Sequence, residues 1–138
     1  MEIEDPKRVL PHRPPILMLE RVVEIVPGVS GTGIRRFVAE SGCFEGHFPD
    51  HPLVPGVLLI EALAQTAMAV LCAGSEERPK QGFLAKVRDA AFYRPVTPGQ
   101  EIRFEVEIVK KIKRFYMVRG LVMHGETRCA RAELTLAM

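Results

Sequence analysis

The chain contains no tryptophan, only two tyrosines and only three cysteines in 138 residues. Cys43, Cys72 and Cys129 form no CxxC pair, and their odd number builds no even disulfide framework. A small disulfide-stapled scaffold and a thioredoxin-like redox centre are therefore excluded. Net charge is also scarce, at +2, so the strongly basic balance of a nucleic-acid-binding domain is missing. No apolar run reaches the ~20 residues of a membrane-spanning helix. The longest, Val57 to Ala73, is interrupted by Glu61, Gln65 and Thr66 and reads as a buried helix of a soluble protein. There is no Gly-rich phosphate loop and no GxSxG elbow. The first residues, Met1 to Lys7, are acidic and carry no apolar signal segment. With the cysteine usage, this predicts a reducing, cytoplasmic location.

What is present is an ordinary globular composition, with 47% hydrophobic and 26% charged residues. One domain over residues 1–138 is expected, with enough chain for a core. The charges are unevenly spread. Residues 1–60 hold 6 basic and 8 acidic side chains, whereas residues 86–138 hold 11 and 6. Lys110, Lys111, Lys113 and Arg114 stand together without an acid among them. Such a run reads as a solvated hairpin tip, or as a docking surface for an acidic partner.

Prolines and glycines divide the chain. Pro6, Pro11, Pro14 and Pro15 keep the first residues from forming a long helix and leave room for a short one near Lys7–Leu10. Ile16 to Val26 is predicted as a strand, Pro27-Gly28 as its turn, and Gly31 to Ala39 as its hairpin partner. Pro49, Pro52 and Pro55 recur every third residue and make Gly46 to Val54 a stiff, non-helical loop. Pro55 is placed to open a helix over Gly56 to Ala73, which Gly74-Ser75 ends. Four strands follow: Phe83 to Tyr93, the alternating Ile102-Phe104-Val106-Ile108 segment, Phe115 to Met123 and Thr127 to Leu136. The order β-β-α-β-β-β-β predicts an α+β fold, a curled six-stranded antiparallel sheet wrapped around a helix buried on all sides. Tyr93, Tyr116 and most phenylalanines are assigned to strand faces in the core.

The polar residues of the helix are the informative ones. Glu61 sits within Val57-Leu58-Leu59-Ile60-Glu61-Ala62-Leu63-Ala64, where a carboxylate is unexpected without a partner. Burial favours the protonated carboxyl, which makes Glu61 a candidate acid; a snorkelling or interface glutamate is the alternative. Gln65 lies one turn further on the same face. His47 precedes the proline loop, which would hold its imidazole in a reproducible place for a base; a structural histidine is the alternative. The helix start at Pro55-Gly56 presents backbone N–H groups at the positive end of the helix dipole, able to polarise a carbonyl. Cys43, His47 and His51 have a metal-like spacing, but Pro49 and Pro52 forbid the helix that would align them, and no metal site is expected. His12 and His124 read as surface or turn residues.

These residues fall in a recognisable pattern. The run from Gly46-His47-Phe48-Pro49 through Pro55-Gly56 to Glu61 and Gln65 resembles the signature of the FabZ-type (3R)-3-hydroxyacyl-[acyl-carrier-protein] dehydratases. Leu10-Pro11-His12-Arg13-Pro14-Pro15, Glu20-Arg21-Val22 and Phe92-Tyr93-Arg94-Pro95-Val96-Thr97-Pro98-Gly99 resemble that family's flanking motifs. Two departures are Asp50, where the family often has glycine, and Pro14, where it has an aromatic residue. The resemblance implies a hot-dog fold, and a homodimer with joined sheets, often a trimer of dimers, that is a homohexamer. It implies a site at the dimer interface, with His47 from one protomer and Glu61 from the other. The implied reaction is dehydration of a 3-hydroxyacyl thioester to the trans-2-enoyl thioester in fatty acid biosynthesis. His47 would remove the C2 proton, Glu61 would assist the C3 hydroxyl, and Gly56 N–H would hold the thioester oxygen. Gln65 would place Glu61 or a water, and Phe48, Val54 and Leu58 would line the acyl tunnel. No cofactor is implied beyond the phosphopantetheine arm of the acyl carrier protein, the expected partner. Lys86, Arg88, Arg94, Lys110, Lys111, Lys113 and Arg114 are the candidate docking cations for that acidic carrier. A hot-dog thioesterase and a non-catalytic acyl-carrier-binding subunit are the competing readings.

Overall fold

The computed structural model describes residues 1–38, 48, 50–74 and 81–138. Their six strands form one antiparallel sheet around one helix. The strands are β1 (Arg21–Val26), β2 (Ser30–Arg36), β3 (Phe83–Phe92), β4 (Glu101–Ile112), β5 (Phe115–His124) and β6 (Thr127–Ala137), and the helix is α1 (Gly56–Cys72). The spatial order is β1-β2-β4-β5-β6-β3, so β1 and β3 are the edges. A short 3-10 turn, Pro6–Arg8, is capped by the Asp5 carboxylate, which accepts from Lys7 N–H. This is the hot-dog arrangement expected for the chain.

The helix starts as proline chemistry requires, with Pro55 as its cap and Gly56 as its first residue. Residues 62–70 are buried without interruption, because the sheet curls around that part of α1. Close approach of helix to sheet is bought by small residues. A Cβ on Gly33 of β2 would collide with Thr66 Oγ1 and stand 2.8 Å from Leu19 Cδ2, and one on Gly120 of β5 would stand 2.9 Å from Leu63 Cδ2.

The structure corrects three expectations. First, β1 begins at Arg21, not Ile16. The backbone groups of residues 16 and 18 are taken by a side chain instead: Gln65 donates to Ile16 O and accepts from Met18 N–H, both at 2.8 Å. A backbone bonded to the helix is not available to the strand ladder. Second, α1 is not covered on all sides. Its first turn is open, with Val57 72% exposed. Third, only Phe37 and Phe104 of the described phenylalanines are buried in the core. Phe83, Phe92, Tyr93 and Val87 lie exposed on or beside β3. These side chains give the edge strand an exposed apolar surface.

Candidate active site

Glu61 is at the open end of α1, with its side chain 29% exposed in the single chain. Gln65, one turn later, is fully buried, and every polar atom of its amide is used. Its Nε2 donates to Ile16 O and, at 3.0 Å, to Glu61 Oε1, while its Oε1 accepts from Met18 N–H. The pair therefore meets as the i, i+4 spacing predicts. Gln65 additionally ties the carboxylate to the N-terminal segment, which local spacing alone does not reveal.

A third residue joins this cluster. His12 Nε2 lies 3.8 Å from Glu61 Oε1, with the histidine side chain 17% exposed. Its Nδ1 is buried without a hydrogen-bond partner among the described residues. His12 is thus not the surface residue expected. The contact joins segments far apart in the chain, so periodicity carries no trace of it; its place in the Leu10-Pro11-His12-Arg13 motif is the one available signal.

Gly56 occupies a different place. Among the described residues its N–H has no hydrogen-bond partner, and no side chain caps α1. It lines a cavity of about 360 Å³ together with Val54, Leu59, Phe92, Tyr93 and Arg94. The Phe92 ring covers the glycine so closely that an added Cβ would lie 2.9 Å from its Cε1. Val54 is buried here and donates its N–H to Val96 O at 2.8 Å. Leu58 is half-buried and Phe48 exposed, and neither lines this cavity. Gly56 and Glu61 are five residues apart. At ~100° per residue they lie about 140° apart around the helix, and Glu61 is not among the residues lining the Gly56 cavity. His47, with Cys43 of the metal-like trio, lies outside the described residues.

The candidate docking cations do not form one patch. Arg94 borders the Gly56 cavity at the end of β3. Lys110, Lys111, Lys113 and Arg114 belong to the β4–β5 hairpin at the other end of the sheet, where Arg114 lies over the Phe83 and Phe115 rings. The ten residues of β3 separate them, about 30 Å at ~3.3 Å per residue. Lys86 and Arg88 line a separate groove of about 360 Å³ with Met117, Arg119 and Thr135.

Comparison with known proteins resolves the family. The FabA-like domain profile matches residues 10–133. The chain is 38% identical over 136 residues to the 3-hydroxyacyl-[acyl-carrier-protein] dehydratase FabZ of Geotalea uraniireducens, covering 97% of this chain and 94% of that protein. It belongs to the FabZ dehydratase family. The FabZ of Oceanobacillus iheyensis is also 38% identical, over all of this chain and 99% of its own length. Among solved structures, the dehydratase heterocomplex ApeI:P from Xenorhabdus doucetiae superposes with a TM-score of 0.81 at 20% identity, over 96% of this chain and 90% of that one. At that identity the likeness establishes the fold. No helix among the described residues is long and apolar enough to cross a membrane.

Proposed function

We propose that the chain works as a cytoplasmic homodimer whose active sites are shared between protomers, dehydrating (3R)-3-hydroxyacyl thioesters carried on acyl carrier protein. It is a 3-hydroxyacyl-[acyl-carrier-protein] dehydratase and a hydro-lyase, as its full-length relatives are named. The observation that supports the shared site is that Glu61 does not line the cavity at Gly56, combined with the open first turn of α1 and the outward-facing apolar edge at β3. A second copy joined along β3 would cover that edge and bring one protomer's Glu61 towards the other's Gly56.

In this mechanism the Gly56 N–H, at the positive end of α1, binds the thioester oxygen as charge develops on it. His47 removes the C2 proton. Glu61, held by Gln65, delivers a proton to the departing C3 hydroxyl directly or through a water. Elimination is redox-neutral, so the residues named need no cofactor beyond the carrier's own arm. Arg94, bordering the Gly56 cavity, is the best placed of the cations to meet the phosphate of that arm.

The test is incubation with (3R)-3-hydroxybutyryl-carrier protein, following the conjugated enoyl thioester by ultraviolet absorbance and mass. Wild type should form it. His47→Ala should not, and Glu61→Gln should be slower by about 10²–10⁴-fold. Mixing the two variants under conditions of subunit exchange should restore activity. Released hydroxy acid in place of enoyl thioester would show hydrolysis and refute the reaction, and no recovery after verified exchange would refute the shared site.

A further inference from the structure

We propose that His12 is a positioning residue of this site: its Nε2 acts with Gln65 on Oε1 of Glu61, so that Oε2 is the oxygen presented to the substrate. The inference rests on the dehydratase reading, because it assigns a direction to the carboxyl that the elimination uses.

The two oxygens of Glu61 have unequal surroundings. Oε1 accepts from Gln65 Nε2 at 3.0 Å and faces His12 Nε2 at 3.8 Å. Oε2 has no hydrogen-bond partner among the described residues. One oxygen is therefore anchored to the protein and the other is left for chemistry. The 3.8 Å separation exceeds a hydrogen bond, so Gln65 holds Oε1 directly and His12 stands beside it as a close polar neighbour.

The histidine is braced for such a role. Arg13 Nη1 donates to Leu10 O at 2.9 Å and to His12 O at 2.8 Å, stiffening the backbone on both sides of the ring. Gln65 binds the same segment at Ile16 and Met18. Imidazole and carboxamide thus approach one carboxylate oxygen from two elements, the N-terminal segment and α1. The buried, unpartnered Nδ1 is consistent with a ring fixed by the needs of Nε2, since a purely structural histidine would satisfy its buried nitrogen. His12 also borders an open cleft of about 540 Å³ with Pro11, Gln81, Gly82 and Phe83.

Amide substitutions separate the two ring nitrogens. The side-chain nitrogen of glutamine reaches the position of imidazole Nε2, and that of asparagine reaches the position of Nδ1. His12→Ala and His12→Asn should each lower kcat by about 10- to 100-fold with KM nearly unchanged, the scale of a misplaced catalytic group. His12→Gln should restore most of kcat. A readout independent of turnover is nitrogen NMR of the His12 ring, whose Nε2 resonance should move in Glu61→Gln while that of His124, at the far β5–β6 turn, stays in place. Unaltered kcat in His12→Ala and His12→Asn, equal loss in all three variants, or an unmoved His12 resonance would each overturn the proposal. Wild-type protein that fails to dehydrate the carrier substrate would instead overturn the reading of the reaction, and the His12 resonance would still report the contact with Glu61.

Discussion

Replacing Gln65 with leucine removes three hydrogen bonds at nearly constant volume, so the cost is readable from the partners left behind. Met18 is buried, and its N–H, which donates to Gln65 Oε1, would lose its acceptor where water does not reach it. An orphaned buried donor costs about 1–3 kcal/mol. Ile16 is exposed, so its carbonyl can turn to water, and losing that bond costs about 0.5–1 kcal/mol. Glu61 is partly exposed and rehydrates in the same way, at a similar cost. The sum is about 2–5 kcal/mol, offset slightly by the apolar leucine. Gln65→Leu should therefore lower the urea midpoint at fixed protomer concentration with the denaturant slope unchanged. Turnover should fall as well, because Glu61 loses the donor that orients it. A stability change below about 0.5 kcal/mol, the usual range for surface sites, would refute the claim that this amide ties the N-terminal segment to α1.

Other positions give independent checks. Gly33→Ala would drive a methyl into Thr66 Oγ1 and Leu19 Cδ2, and should destabilise by about 1–3 kcal/mol; calorimetry showing no loss would contradict the close packing of β2 on α1. Gly56→Ala should lower kcat more than stability, because the added methyl meets the movable end of the Phe92 ring at the mouth of the proposed oxyanion site; equal kcat in mutant and wild type would remove Gly56 from the mechanism. Arg131, hydrogen-bonded to Asp89 at 2.6 Å and to the Tyr93 hydroxyl at 2.9 Å, holds the Asp89 carboxyl below its usual range. The native state then binds fewer protons than the unfolded chain just below the ordinary value of ~3.9, so this stabilisation is present above that value and is lost as pH falls through the lower native one. The stability gap between wild type and Asp89→Asn should accordingly shrink on acidification; a gap independent of pH in urea titrations would refute the pairing.

How far the sequence reveals this architecture depends on whether the deciding interaction is local. The start and end of α1 are legible because Pro55 and Gly74 act through their own backbone restrictions. The long strand β4 is legible because Ile102, Phe104 and Val106 alternate with charged neighbours. The length of β1 is not, because residues 16 and 18 are claimed by Gln65, a choice made by tertiary contact. The same reasoning explains the aromatic residues of β3. Alternation shows that one face of a strand is apolar, but a face buried by the same chain and a face left exposed have the same pattern.

The active site shows this limit most sharply. Glu61 is conspicuous because a carboxylate breaks an apolar helix, and Gln65 because it stands one turn away. His12 breaks no pattern: it sits among prolines in an irregular segment where a histidine is unremarkable. Only the fold sets its Nε2 beside the same oxygen that Gln65 holds. Gly56 and Glu61 share one helix but lie about 140° apart around it, and Glu61 does not line the cavity at Gly56. In the proposed mechanism the two act on one substrate from two copies, an arrangement that accounts both for the exposed apolar edge at β3 and for the split of the candidate site around α1.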